Sequence, residues 1–152
     1  MFSRVMLALD LSELTPRMLD VFYSICLSPE TEVHLLHVVK RPEDYAKTSP
    51  YYKKTYSRLN GLAQDIKNAG YDKVEILWES NPDVLNGIQK AVDQYDINLL
   101  IMASHGKGLW ASTFRGSSTF NAVRAIDIPT LVVKGDYKCS DYLQRILLPT
   151  DF

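Results

Sequence analysis

Leu99-Leu100-Ile101-Met102-Ala103-Ser104-His105-Gly106, nine further residues, and then Gly116-Ser117-Ser118-Thr119 is the stretch on which the fold turns. Leu99 to Met102 is short, apolar and uncharged, the signature of a strand buried on both faces of a parallel sheet. It stops at small and polar residues. The loop from Lys107 to Arg115 ends at Gly116, after which a helical pattern opens on three hydroxyl residues. Strand, glycine turn, loop, glycine and helix start together make an arrangement suited to an anion. Unpaired N–H groups at a helix N-terminus point outward, the helix dipole favours negative charge, and glycine admits phosphate oxygens to the backbone. No Gly-Lys-Ser/Thr triplet follows a glycine four residues earlier, so the stretch is not a Walker A loop.

Working outward, Val5–Leu9 reads as a first apolar strand ended by Asp10, with Ser12 or Thr15 as the cap of a helix running to about Leu27. Glu32–Val39 is a second strand, and the polar segment Lys40–Thr48 is a loop. Ser49-Pro50 supplies an N-cap and first-turn proline for a second helix. Its face is Tyr52, Tyr56, Leu59, Leu62, Ile66 and Ala69, and Gly70 closes it. Lys73–Trp78 alternates like a strand nearer a sheet edge, and Asn81-Pro82 begins a third helix with Val84, Leu85, Ile88, Ala91, Val92 and Tyr95 inward. After the organising strand comes a fourth helix over Ser117–Arg124, then Ile128-Pro129 as a turn and Thr130–Lys134 as a fifth strand. Alternation of this kind calls for an α/β fold, an open five-stranded parallel sheet with helices on both faces. Ligands of such sheets sit beyond the carboxyl ends of the strands, where the strand order reverses.

The three-point loop Ala103-x2-Gly106-x9-Gly116-Ser117 resembles the nucleotide loop of the universal stress protein family, Gly-x2-Gly-x9-Gly-Ser/Thr, with only the first glycine replaced. The likeness runs from Val5 to Lys134. It implies a Rossmann-like sheet of order 3-2-1-4-5, related to the adenine nucleotide α-hydrolases, with strands one and four flanking the ligand crevice. It also implies ATP as ligand, with Mg²⁺ bridging the phosphates. Asp10 would meet the ribose and adenine end, the backbone of Val38 would read the adenine edge, and Ala103, Gly106, Gly116, Ser117, Ser118 and Thr119 would line the phosphate loop. Each has a plainer reading beside it: Asp10 as a turn residue, Val38 as core, and Ser117 or Thr119 as a helix cap. A methyl at Ala103 forbids nothing at negative φ, so weakened rather than abolished binding is the expectation. The family implies pairing along the fifth strand, either in a homodimer or between two domains of one chain. It also implies an alternative, a nucleotide-free protein-interaction module of the same fold.

A chain of 152 residues with net charge −1, 46% hydrophobic and 23% charged residues is one domain's worth of ordinary globular sequence. No run of like charge marks a nucleic-acid or membrane partner, and no apolar segment approaches the ~20 residues of a membrane span. Cys26 and Cys139 have neither metal spacing nor a disulfide framework, which fits a cytoplasmic protein. His105 lacks a nucleophile or carboxylate partner in sequence context, and His34 and His37 fall on opposite faces of one strand. These points argue against a dedicated enzyme, and the resemblance implies slow ATP hydrolysis at most. The tail Arg145-Ile146-Leu147-Leu148-Pro149-Thr150-Asp151-Phe152 repeats Arg4 to Leu11 position by position. It reads as the start of a second copy at 145–152, after a linker at 136–144 that closes a domain spanning 1–135.

Overall fold

The computed structural model describes residues 2–26, 28–103 and 125–134. Five strands, β1 (Arg4–Ala8), β2 (Glu32–Val39), β3 (Val74–Ser80), β4 (Leu99–Ala103) and β5 (Thr130–Val133), form one sheet. All pairings are parallel and the order is β3-β2-β1-β4-β5. This is the architecture and strand order the sequence leads one to expect. Helices α1 (Thr15–Ile25), α2 (Pro42–Tyr45), α3 (Pro50–Asn68) and α4 (Val84–Gln94) connect the first four strands.

Because successive strand residues point to opposite faces, the apolar strands feed two cores. Val5, Leu7, Val33, Leu35, Leu99 and Ile101 meet Met18 and Phe22 of α1 and Leu59 and Ile66 of α3. Met6, Ala8, Leu36, Val38, Leu100 and Met102 meet Val84, Ile88 and Ala91 of α4. Gly87 lets α4 lie close on β2, since a Cβ there would stand 2.9 Å from Val38 Cγ1.

Local chemistry sets the boundaries. Ser49 Oγ accepts from the Tyr52 N–H at 2.9 Å, capping α3 ahead of Pro50, and Gly70 follows its end at φ 101°. Several boundaries differ from the sequence expectation. Within the Lys40–Thr48 loop, Pro42 at the first turn and the Arg41–Asp44 ion pair at 2.7 Å hold one turn of helix, α2. Asp83 rather than Asn81 caps α4, its carboxylate accepting from Leu85 N at 2.9 Å. At α1 the cap position is Leu14, and Ser12 Oγ accepts from Leu14 N at 3.3 Å as a turn instead of capping. The helix ends at Ile25, with Cys26 as its cap and Leu27 outside the described residues. Also outside them lie the fourth helix expected at Ser117–Arg124, the linker 136–144 and the repeat at 145–152.

Candidate functional site: the crevice between β1 and β4

The chain lays down β1, β2 and β3 in one direction and then returns to place β4 on the other side of β1. The strand order thus reverses between β1 and β4, and in sheets of this kind the carboxyl ends of the strands at such a reversal are where a ligand crevice forms. The two strands are paired from Val5↔Leu99 to Ala8↔Met102, so Leu9-Asp10-Leu11 and Ala103 arrive together at its mouth.

Asp10 is half-buried, and its Oδ1 accepts from the Ser12 N–H at 2.9 Å, closing an Asx turn. Its Oδ2 meets no donor among the described residues. The turn reading of Asp10 is thus realised through one carboxylate oxygen. The next residue, Leu11, has φ 57°, a left-handed conformation that a branched side chain adopts only at a cost. Its side chain is nonetheless buried beside Leu14 in the core under α1.

The carbonyls on either side of Asp10 are both held by side chains. Leu9 O accepts a hydrogen bond from His37 Nδ1 at 2.7 Å, which fixes the tautomer, so His37 Nε2 accepts from the Tyr51 hydroxyl at 2.9 Å. Burial pushes the His37 pKa below the usual histidine value, partly opposed by the Leu9 carbonyl and Asp10 and helped by Arg58. Arg58 Nη2 donates to Leu11 O at 2.8 Å.

Val38 lies fully buried at the carboxyl end of β2, its side chain in the core beneath α4. Its main chain has a different role. Glu32 N donates to Ser3 O and Leu36 O accepts from Leu9 N at 2.8 Å, so even-numbered residues of β2 turn their backbone groups toward β1. Val38 faces that same side, where the parallel ladder would send its N–H to Leu9 O. That carbonyl is taken by His37, and among the described residues no hydrogen bond reaches the Val38 N–H or C=O. Ala103 ends β4 opposite Val133, and its methyl belongs to the core on the α1 side. Gly106, Gly116, Ser117, Ser118 and Thr119 lie outside the described residues.

The structure therefore brings Asp10, Val38 and Ala103 to one end of the sheet and adds His37, Tyr51 and Arg58. Sequence reading passed over these three because their contacts are made between β1, β2 and α3, at separations of 14 to 47 residues. The one available signal was a histidine beside Val38 at the end of an otherwise apolar strand. His34, on the opposite face, packs its ring 5.4 Å from Tyr95 and lies 3.6 Å from Glu75. Among the described residues no group of three or more His, Cys, Asp or Glu could hold a metal ion. A separate groove of about 310 Å³ lies at the far edge of the sheet, lined by Tyr45, Lys47, Tyr52, Tyr56, Ile76 and Trp78.

The sequence profile of the universal stress protein family matches residues 1–134. The chain belongs to that family. Among solved structures, a universal stress protein from Archaeoglobus fulgidus is 24% identical with a TM-score of 0.64, over 89% of this chain and 45% of its own. A second universal stress protein from Archaeoglobus fulgidus is 14% identical with a TM-score of 0.65, over 87% of this chain and 93% of its own. A universal stress protein solved in complex with cAMP is 17% identical with a TM-score of 0.64, over 88% and 97% of the two chains. At these identities the likeness establishes the shared fold. No curated protein matches the chain. Among the described residues no helix of this universal stress protein is long and apolar enough to cross a membrane.

Proposed function

We propose that this universal stress protein domain binds an adenine nucleotide, ATP above all, in the crevice between β1 and β4, and acts in the cytoplasm as a stress-response signalling module. One observation carries the reading: among the described residues, an Asp10 oxygen and the Val38 main chain without hydrogen-bond partners lie at the end of the sheet where the strand order reverses. A carboxylate oxygen suits ribose hydroxyls, and a strand N–H with its neighbouring carbonyl suits the donor–acceptor edge of adenine. Gly106, Gly116, Ser117, Ser118 and Thr119 would supply N–H groups and hydroxyls to the phosphates. The described residues offer no carboxylate cage, so Mg²⁺ would ride on the phosphates. Among the described residues at this end of the sheet no group is placed to serve as a base for water attack, so turnover of ATP would be slow at most. The cAMP-bound relative supports the same ligand class.

Titration calorimetry with ATP and Mg²⁺, with AMP and GTP as controls, tests this directly. Saturable ATP binding, lost in Gly116→Leu, is the expected result. No heat from a folded sample up to millimolar ATP would overturn it. Ala103, where the family motif has glycine, favours the second reading, a nucleotide-free interaction module. That reading predicts silence in the same titration.

The Arg145–Phe152 repeat of Arg4–Leu11 supports a tandem parent protein, with residues 1–135 as its first domain and 136–144 as the linker. A solved relative of which this chain spans only 45% has room for two such domains. β5 closes one edge of the sheet, and pairing along it would join the two halves or two copies of this chain.

A further inference from the structure

The ladder between β1 and β2 is interrupted at a particular rung. Parallel pairing continued from Leu9 N and Leu36 O would next bond the Val38 N–H to Leu9 O. A buried backbone donor normally keeps such a partner. Here the partner has been removed by a side chain of the neighbouring residue, since His37 Nδ1 sits 2.7 Å from Leu9 O. His37 cannot swing away freely. Tyr51 holds its other nitrogen, and its ring stacks on Trp78 with centroids 5.2 Å apart. Two residues further along the chain, Arg58 of α3 draws Leu11 O by a 2.8 Å bond, at the residue with φ 57°. The carbonyls of the residues on both sides of Asp10 are thereby fastened to β2 and α3.

We infer that His37, locked by Tyr51, and Arg58 form a two-point clamp that positions the nucleotide site. By taking the Leu9 carbonyl, His37 leaves the Val38 main chain available to a purine edge. By holding the Leu11 carbonyl in its left-handed turn, Arg58 aims the second oxygen of Asp10 into the crevice. Neither residue touches the ligand; both act through the Leu9–Leu11 backbone. The inference rests on the adenine-nucleotide reading above and adds to it the residues that shape the specificity end of the site.

Arg58 is exposed, so its replacement tests the clamp without threatening the core. ATP with Mg²⁺ is titrated into the unsubstituted chain, Asp10→Ala, Arg58→Ala and the double variant. Losses of about tenfold for Asp10→Ala and about fivefold for Arg58→Ala are expected, with the double variant no weaker than Asp10→Ala alone. Such non-additivity is the mark of one residue acting through another, and Arg58→Lys, which keeps a donor, should recover most of the loss. A second pair probes the other point of the clamp. His37→Asn keeps an N–H near the Nδ1 position and should bind ATP within about twofold of the parent, whereas His37→Leu should lose about tenfold. In His37→Leu the Val38 amide should also become slower to exchange with solvent deuterium, as the ladder closes one rung further. Additive losses in the Arg58/Asp10 cycle, or unchanged affinity in both Arg58→Ala and His37→Leu, would overturn the clamp while leaving nucleotide binding intact. Absence of ATP binding by the unsubstituted chain, or indifference to Asp10→Ala, would instead bring down the site reading itself, and the clamp with it.

Discussion

Gly87→Ala and Gly61→Ala are the same substitution on two helices, and the structure gives them opposite signs. On α4, a methyl at Gly87 would stand 2.9 Å and 3.2 Å from the two Cγ atoms of Val38 and 3.2 Å from Asn81 Cβ. Val38 is fully buried and β-branched, with one stiff χ1 rotamer, so it cannot rotate clear and α4 must lift from β2. Overpacking of this kind costs about 1–3 kcal/mol. Relief of the glycine's helix penalty returns roughly 1 kcal/mol of that. The net is a loss of up to about 2 kcal/mol, a fall in Tm of up to roughly 6 °C for a domain of this length. At Gly61, mid-way along α3, nothing lies within 4 Å of the added methyl. There the helix term acts alone, a gain of about 0.5–1 kcal/mol. Urea denaturation followed by far-UV circular dichroism measures both, with unchanged m-values as the control for a common unfolded state. Should Gly87→Ala stabilise as Gly61→Ala does, the close approach of α4 to Val38 is wrong, and with it the packing beneath the crevice. Since Gly87 presses on the residue whose main chain faces the crevice, Gly87→Ala should also weaken ATP binding, while Gly61→Ala leaves it unchanged.

Two further expectations follow from buried titratable groups. Burial lowers the pKa of both His34 and His37 below the ordinary histidine value. The unfolded chain therefore takes up protons first as the pH drops, and stability, intact above about pH 7, falls progressively through pH 6 to 5. Equilibrium unfolding across that range should show the decline, and His34→Gln, whose ring nitrogens lack hydrogen-bond partners among the described residues, should flatten it; a stability that rises toward pH 5 would refute the sign. Burial also pushes the Cys26 thiol up to about 11. In a Cys139→Ser background the native protein should resist iodoacetamide at pH 8 and become labelled in urea, and rapid labelling of the native state would contradict the buried position.

How much of this was legible in the chain differs from one element to the next. β2 and β4 fall where unbroken runs of Leu, Ile, Val and His predict them, because strands buried on both faces need no alternation and leave a contiguous signal. Ser49-Pro50 and Gly70 bracket α3 by local chemistry alone, a cap, a fixed φ and a positive φ. Repeated strand–helix alternation then implies a parallel sheet, since parallel neighbours require crossovers, and the glycine loop after β4 marks the family. All of this depends on interactions within about a dozen residues, which the sequence carries in full.

The tertiary structure decided what depends on distant residues meeting. Asp10 as a strand-ending carboxylate could be read from sequence, but the acceptance of the Ser12 N–H by its Oδ1 alone among the described residues could not. Nothing local to His37 says that its Nδ1 will reach Leu9 O, 28 residues away, in place of a backbone donor. Nor does anything near Arg58, on the solvent side of an amphipathic helix, point to Leu11, 47 residues earlier. Hydrogen-bond partners of this kind are fixed by register between β1 and β2 and by how α3 lies across them. Periodicity and capping determined which segments are strands and helices; the way those segments pack determined which polar atoms at the carboxyl ends of β1 and β2 find partners among the described residues.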